Sequence, residues 1–279
     1  MKKLIVLAAA LLVAVSTSWA QVRSTAHVPT PFTEGGAPVA LEMVIYKPEG
    51  AGPFPTVLFN HGSTGMGDTP SLFKETWAPE KLARWFTQRG WLVAFPQRRG
   101  RGQSDGQYDE GFTPKRDRYS CDPTPSLAGF DRALADVDAA AVWLQQNPDV
   151  DAKRMEIAGW SRGGILAVAY AGTHPDVFQG AINFAGGWIS DQCPLNTADA
   201  INPVSFRRGA AFVRPTLWLY GEKDPYYALA HSRKNFEAFI DAGGKGSFET
   251  FKLPPGVNAH LIFTQQDLWG PAVEAYLAK

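Results

Sequence analysis

Short apolar runs alternate with longer segments of helical periodicity from about Val39 to the end of the chain. The runs have the length of buried strands, and the longest helical segment, residues 127–146, places Leu134, Val137 and Leu144 on one stripe. This alternation is typical of crossover units and predicts an α/β fold, a mostly parallel sheet with helices on both faces. The predicted strands are residues 41–46 (an edge strand), 56–60, 91–95, 155–159, 181–184, 216–220 and 248–253, and the predicted helices are residues 79–88, 127–146, 163–173, 228–242 and 272–279.

The series of predicted elements continues without a linker, a repeat or a low-complexity stretch. The sequence therefore predicts one domain over residues 39–279, preceded by an extended lead-in over residues 21–38. Hydrophobic residues make up 45% of the chain and charged residues 19%, which excludes a disordered protein. With 27 basic and 27 acidic side chains the formal net charge is zero, which argues against a nucleic-acid partner bound through its phosphates.

The first twenty residues have the three parts of a secretory signal peptide. Lys2 and Lys3 supply the positive start, residues 4–15 form an apolar run, and Ser18 and Ala20 are the small residues before a cleavage point near Ala20. The run is short for a stable membrane anchor, which needs about twenty apolar residues. We therefore expect an exported protein, periplasmic or secreted, that is not anchored in a membrane.

Two segments match the pattern G-x-S-x-G, one centred on Ser104 and one on Ser161. A nucleophilic serine in this pattern lies on a sharp turn between a strand and a helix. Ser104 follows residues 98–101, well past the preceding strand, and a loop-like segment comes after it. Ser161 closely follows the predicted strand at residues 155–159 and precedes the helical pattern that begins at Gly163. This context selects Ser161 as the nucleophile; the alternative is a small residue in a tight turn.

The Ser161 motif is one of four segments that follow predicted strands. They are Asn60-His61-Gly62-Ser63, Gly159-Trp160-Ser161-Arg162-Gly163-Gly164, Tyr220-Gly221-Glu222-Lys223-Asp224-Pro225 and Gly256-Val257-Asn258-Ala259-His260. In this order they resemble the α/β-hydrolase superfamily and, within it, the branch of dienelactone hydrolases and prolyl oligopeptidase-like enzymes. The resemblance covers most of the chain from about residue 39 and implies an α/β-hydrolase fold and a serine hydrolase. Dienelactone hydrolases proper have a cysteine at this turn, so their activity on lactones is not implied here.

The catalytic residues of this superfamily follow in the order serine, acid, histidine. Of the five histidines, His260 is the one in the loop after the last strand, and we predict it as the general base; the alternative is a structural histidine. Asp224 follows the strand at residues 216–220 and is predicted to orient the imidazole. Glu222 and Asp191 compete for that role, and a helix cap is the alternative for Asp224. The other histidines are His27 in the lead-in, His61 in a loop that it would brace, His174 at a helix end and His231 in a helix.

The oxyanion that forms on a substrate carbonyl needs N–H donors fixed in advance. We expect one donor from the backbone of Arg162, directly after the nucleophile, and the second from the backbone of Ser63, with Gly62 as the alternative. Trp160 and Trp188 flank the turn and the next strand end, where aromatic side chains either bind substrate or pack in the core.

Three arginines, Arg98, Arg99 and Arg101, follow a predicted strand. They either present a basic patch to the substrate or pair with nearby carboxylates. The carboxylates considered are Asp105, Asp109 and Glu110.

Cys121 and Cys193 lie in two loops that leave the carboxyl ends of strands, so both should lie above the same edge of the sheet. In the oxidising compartment that export implies, they are predicted to form a disulfide. The alternative is two separate buried thiols.

These observations predict an exported serine hydrolase that cleaves a carboxylic ester, or a related acyl bond, of a small molecule through an acyl-enzyme. The sequence contains no metal-binding or nucleotide-binding motif, so we expect no metal and no cofactor. A small peptidase of the prolyl oligopeptidase-like type is an alternative, and an inactive hydrolase fold that binds a ligand is another. The sequence names neither the substrate nor the oligomeric state.

Overall fold

One sheet organises the computed structural model, which describes residues 21–65, 67–190 and 193–279; the predicted signal peptide, residues 1–20, lies outside the described residues. Eight strands are present within these ranges. They are β1 (Gln21–Glu34), β2 (Ala37–Pro48), β3 (Phe54–Asn60), β4 (Leu92–Pro96), β5 (Val150–Trp160), β6 (Gly180–Phe184), β7 (Thr216–Gly221) and β8 (Gly246–Phe251). Their order in the sheet is β1-β2-β4-β3-β5-β6-β7-β8. Strand β2 pairs in antiparallel fashion with both β1 and β4, and the six strands β3 to β8 run parallel to one another.

Helices connect the parallel strands, as the alternating pattern of the sequence predicted. Every residue of β4, β6 and β7 is buried, which is expected where helices cover both faces of a parallel sheet. The helices are α1 (Glu80–Thr87), α2 (Pro123–Gln145), α3 (Arg162–Thr173), α4 (Leu195–Arg207), α5 (Leu229–Asp241) and α6 (Gln266–Leu277), and short 3-10 turns occupy Pro70–Phe73, Arg208–Ala211 and Ala259–Thr264. The predicted α/β fold class is confirmed.

The predicted lead-in is instead part of the sheet. Residues 21–34 form β1, which pairs with β2 from Gln21 opposite Pro48 to Glu34 opposite Ala37. The prediction that residues 41–46 form an edge strand is therefore wrong, because β1 covers that edge. The sequence obscures β1 because its side chains are mostly exposed and because prolines interrupt it; an edge strand tolerates proline, since its outer N–H groups need no partner.

A second difference concerns residues 187–213, where the sequence analysis predicts neither a helix nor a strand. It contains the thirteen-residue helix α4. Pro203 lies inside this helix, and a proline within a helical pattern normally indicates that the helix ends before it. The proline therefore hid the element from the sequence pattern.

A disulfide joins Cys121, just before α2, to Cys193, just before α4, with a Cα–Cα distance of 5.5 Å. The predicted pairing is thus confirmed. The bond ties together two loops that leave the carboxyl ends of β4 and β6, the end of the sheet at which Ser161 lies. No helix among the described residues is long and apolar enough to cross a membrane.

Candidate active site

Ser161 lies at the junction of β5 and α3, where the sharp turn gives it an unusual backbone conformation. Its φ is +57° and its ψ is −123°, a combination that costs energy in a residue with a Cβ. The N–H of Ser161 donates to the carbonyl of Phe184 at 2.9 Å, which fixes the turn against β6. A Cβ on Gly163 would lie 2.1 Å from the carbonyl oxygen of Asn60, so the turn also packs directly on the end of β3.

His260 and Asp224 form a buried pair at the same end of the sheet. Their side chains are joined by a hydrogen bond of 2.8 Å between His260 Nδ1 and Asp224 Oδ2. The other carboxylate oxygen accepts the N–H groups of Tyr226 and Tyr227 at 2.8 and 3.1 Å. A carboxylate held in this way keeps the proton of the imidazole on Nδ1 and leaves Nε2 as the basic atom. Ser161, Asp224 and His260 are 4%, 6% and 5% exposed, so all three lie in a sheltered part of the molecule.

Trp160 supports the histidine. Its indole N–H donates to the backbone carbonyl of His260 at 2.7 Å, and the two rings lie 5.2 Å apart. Trp77 stacks on the other side of the indole, with an angle of 14° between the rings. Trp160 is half-buried, so the contact with His260 is its clearest role, and the predicted contact with substrate remains a hypothesis.

Trp188 belongs to the core rather than to the wall of an open pocket. The side chain is 1% exposed, and its indole N–H donates to the carbonyl of Ser126 at 3.0 Å. Its ring packs edge-on against Phe130. The core-packing interpretation therefore describes Trp188, and its predicted role in binding substrate is corrected.

The loop after β3 lies beside the nucleophile. A Cβ on Gly62 would come within 2.8 Å of the Trp160 ring and 3.1 Å of the Cβ of Ser161, so only a glycine allows this approach. Ser63 follows on the exposed side of the loop, and Arg162 begins α3. Neither backbone N–H of these two residues donates to another described residue. Both N–H groups therefore belong to segments that adjoin Ser161, and their role as oxyanion donors stays a prediction.

The three arginines after β4 are buried and paired. Arg98 pairs with Glu110, which is one of the carboxylates considered in the sequence analysis. Arg99 instead binds Asp136, with 2.6 Å between its Nε and the carboxylate, and this carboxylate was not foreseen. Arg101 donates to the Thr64 hydroxyl at 2.6 Å. The hypothesis of a basic patch that faces the substrate therefore fails, because these side chains are 2%, 8% and 7% exposed.

The remaining candidates from the sequence fall outside the site. Ser104 is bound to backbone groups of β2 and of the segment after β4. Glu222 is exposed, whereas Asp224 is buried against His260; Asp191 lies outside the described residues. The other histidines have separate surroundings: His27 is exposed on β1, His61 is buried beneath the Gly62 loop, His174 lies 3.5 Å from Asp138, and His231 contacts Asn202 at 2.9 Å.

Two tyrosines at the site were missed by the sequence interpretation. The rings of Tyr226 and Tyr227 lie 4.8 and 5.4 Å from the ring of His260. Tyr227 is buried next to the side chain of Ser161, and its hydroxyl donates to the carbonyl of Gly187 at 2.8 Å. Burial raises the pKa of Tyr227, so its phenol stays protonated. The signal that could have found them is their position directly after Asp224 and Pro225.

Groups able to hold a metal ion are not part of this arrangement. The described residues contain no cluster of three or more histidine, cysteine, aspartate or glutamate side chains with the geometry of a metal site. What the site offers is a hydroxyl on a strained turn and, at the same end of the sheet, a buried imidazole–carboxylate pair.

Solved structures of other proteins have a fold similar to that of this chain. A protein from Klebsiella pneumoniae described as a dienelactone hydrolase superposes with a TM-score of 0.61 and 20% identity, over 93% of this chain and 99% of that one. An esterase from Pyrococcus furiosus superposes with a TM-score of 0.62 and 16% identity, over 94% and 91%. The chain is an α/β hydrolase by fold. This confirms the fold that the resemblance of the four sequence segments implied.

The branch within the α/β hydrolases is supported by two further similarities. Residues 130–189 match the prolyl oligopeptidase family. Dipeptidyl peptidase 4 from Porphyromonas gingivalis superposes with a TM-score of 0.58 and 18% identity, over 88% of this chain but 34% of the peptidase. No curated protein matches the sequence. The fold of this chain is therefore similar to that of a dienelactone hydrolase and to about a third of a larger peptidase.

Proposed function

We propose that this protein is a serine hydrolase that cleaves carboxylic esters through an acyl-enzyme, with Ser161 as nucleophile, His260 as general base and Asp224 as the acid that orients it. The observation that carries the proposal is the 2.8 Å bond between buried His260 and Asp224 at the end of the sheet where the Ser161 turn lies. A serine hydroxyl is a weak nucleophile until a base removes its proton, and an imidazole held by a carboxylate is such a base.

We assign each step of the proposed reaction to one of these groups. Nε2 of His260 takes the proton of Ser161 as the hydroxyl attacks the acyl carbon, and the negative charge moves to the carbonyl oxygen. The N–H groups of Arg162 and Ser63 donate to this oxyanion, and each donor lowers the barrier by about 3 kcal/mol. The imidazolium then protonates the leaving alcohol. Water, activated by the same imidazole, hydrolyses the acyl-enzyme and restores the serine.

A peptidase is the second candidate, because residues 130–189 match the prolyl oligopeptidase family and because a dipeptidyl peptidase has a similar fold. The chain spans about a third of that peptidase, but it covers 99% of the dienelactone hydrolase and 91% of the Pyrococcus furiosus esterase. We therefore favour small esters over peptides as substrates.

Export is the remaining part of the proposal. The predicted signal peptide implies it, and the Cys121–Cys193 disulfide is compatible with an oxidising compartment such as the periplasm.

A substrate panel combined with covalent labelling tests the activity. We expect the mature protein to hydrolyse p-nitrophenyl esters of short acyl chains faster than p-nitroanilides of dipeptides. A fluorophosphonate probe should modify the tryptic peptide that contains Ser161. Faster hydrolysis of the anilides would favour the peptidase. A protein that neither turns over any substrate nor reacts with the probe would be an inactive hydrolase fold.

A further inference from the structure

The carbonyl oxygen of Gly62 is held from two sides. Arg98 Nη2 donates to it at 3.1 Å, and Nδ1 of His61 lies 2.7 Å from it. The same guanidinium reaches the preceding carbonyl, with 2.9 Å between Arg98 Nη1 and the oxygen of His61. One buried side chain therefore clamps two successive carbonyls of the loop beside Ser161.

His61 is locked in one tautomer by this arrangement. The backbone N–H of Arg98 donates to Nε2 of His61 at 3.1 Å, so the proton of the neutral ring lies on Nδ1 and is donated to the Gly62 carbonyl. Burial, together with the nearby Arg98 and Arg101 guanidinium groups, holds the pKa of His61 well below its usual range. The imidazole therefore stays neutral, which a donor–acceptor bridge between these two groups requires.

The orientation of the Gly62 carbonyl fixes the next N–H. In a trans peptide the C=O and N–H groups point in opposite directions. Since the Gly62 carbonyl faces the buried Arg98 and His61, the N–H of Ser63 in the same peptide faces the other way. The loop lies against Ser161 at this point, since a Cβ on Gly62 would be 3.1 Å from that of the serine. A rotation of this peptide by half a turn would replace the donor with a carbonyl oxygen.

The same cluster also reaches the other proposed donor. Glu110 is 2% exposed and accepts from Arg98 Nε, while Arg162 Nη1 donates to its backbone carbonyl at 2.7 Å. Burial alone would raise the pKa of Glu110, but the guanidinium groups of Arg98 and Arg162 lower it, so the carboxylate is ionised. Arg162 is further held by the ring of Tyr119, 3.5 Å from its guanidinium carbon.

We propose that Arg98 and His61 are positioning residues which fix the Gly62–Ser63 peptide with its N–H toward the substrate, and that Glu110 couples this peptide to the start of α3. The inference rests on the proposed serine hydrolase activity. Neither side chain touches the reacting atoms; each acts through the backbone. Loss of the clamp should lower kcat and leave KM nearly unchanged, because the oxyanion donor matters mainly in the transition state.

Chemical rescue tests the inference. In Arg98→Ala, we expect kcat on p-nitrophenyl acetate to fall on the order of 100-fold, as for loss of one oxyanion donor. Guanidinium chloride at non-denaturing concentrations should restore a large part of this kcat in a saturable way, while sodium chloride at equal ionic strength should not. Arg99→Ala is the matched control, because Arg99 is also buried and salt-bridged but contacts neither carbonyl of the loop.

If Arg98→Ala fails to fold, Arg98→Lys is the second variant to test, because it keeps the positive charge opposite Glu110. A single ammonium group cannot reproduce the fork that binds both carbonyls, so this folded variant should also lose kcat at nearly constant KM. A folded Arg98 variant with wild-type kcat would overturn the inference, as would a guanidinium effect of equal size in Arg99→Ala or none in Arg98→Ala. In those cases the proposed function still stands if the wild-type protein turns over substrate and this turnover depends on Ser161. Absence of such turnover would overturn both the inference and the proposed function.

Discussion

The two G-x-S-x-G loops of this protein have the same sequence pattern and opposite physical situations. The hydroxyl of Ser104 is fully used by the backbone: it accepts the N–H of Glu42 at 2.8 Å and donates to the carbonyl of Gln97 at 2.6 Å. Ser161 instead has a φ of +57° on the turn after β5, and its side chain lies next to the buried phenol of Tyr227. One serine closes a structural contact, and the other is held in a strained position.

The difference shows what the five-residue pattern leaves open. Glycines give the Ser104 loop its unusual backbone angles, with φ values of +57° at Gly102 and +81° at Gly106, whereas in the Ser161 turn the serine itself has the positive φ. What separates the loops is the element on each side. The Ser161 turn joins a buried parallel strand to a helix, so its serine is lifted above the carboxyl end of the sheet, where His260 and Asp224 also lie. The Ser104 loop follows β4 and packs on β2, where Glu42 and Gln97 hold its serine.

Exchanging each serine for alanine gives the largest contrast. Ser161→Ala should lower kcat on the order of 10⁵-fold, because removal of the nucleophile leaves only the oxyanion donors and substrate binding. Ser104→Ala should keep kcat within a few-fold of wild type. Steady-state hydrolysis of a p-nitrophenyl ester measures both, with circular dichroism as the check on folding. Loss of activity in Ser104→Ala alone would reverse the assignment of the two loops.

A pH-dependent contrast separates two carboxyl groups, one on the strand that leads to Ser161 and one beside the Ser104 loop. Glu156, on the strand that carries Ser161, is 6% exposed, and its Oε2 lacks a hydrogen-bond partner among the described residues. Burial raises its pKa to about 8. Near the Ser104 loop, burial would raise the pKa of Glu34, but its hydrogen bonds with Arg132 and Gln107 leave that pKa lowered.

These opposite shifts predict opposite effects of pH on stability. The folded form keeps Glu156 protonated where the unfolded chain loses that proton, so between about pH 5 and 8 this group costs up to about 1.4 kcal/mol per pH unit. Glu156→Gln should therefore raise the free energy of unfolding at pH 8 by a few kcal/mol and change it little at pH 4. Glu34→Gln, the matched control, should lower stability at pH 7 and have less effect in acid. Urea unfolding at pH 4, 7 and 8 measures these free energies of unfolding. A Glu156→Gln variant with no pH-dependent gain in stability would contradict the burial argument.

The sequence predicted the candidate catalytic residues better than it predicted the residues around them. Ser161, Asp224 and His260 follow apolar strands in the chain, so their positions at one edge of the sheet follow from topology alone. The Arg98–Glu110–Arg162 cluster could not be predicted in this way, because its contacts depend on how a long loop folds back over the sheet. Strand β1 and helix α4 were missed because prolines and polar side chains interrupt their patterns, while pairing with β2 and packing against neighbouring helices α2 and α3 stabilise them.

The smallest effect concerns the stability contribution of the structural serine. Ser104→Ala removes the acceptor of the Glu42 N–H and the donor to the Gln97 carbonyl, and Gln97 is itself fully buried. A buried polar group left without a partner costs about 1–3 kcal/mol, so the unfolding midpoint should fall by several degrees. Ser104→Thr, which keeps the hydroxyl, is the control and should recover part of the loss if the added methyl group fits. Thermal unfolding followed by circular dichroism decides the matter, since an unchanged midpoint in Ser104→Ala would mean that water replaces the hydroxyl and that this loop is far less rigid than its hydrogen bonds indicate.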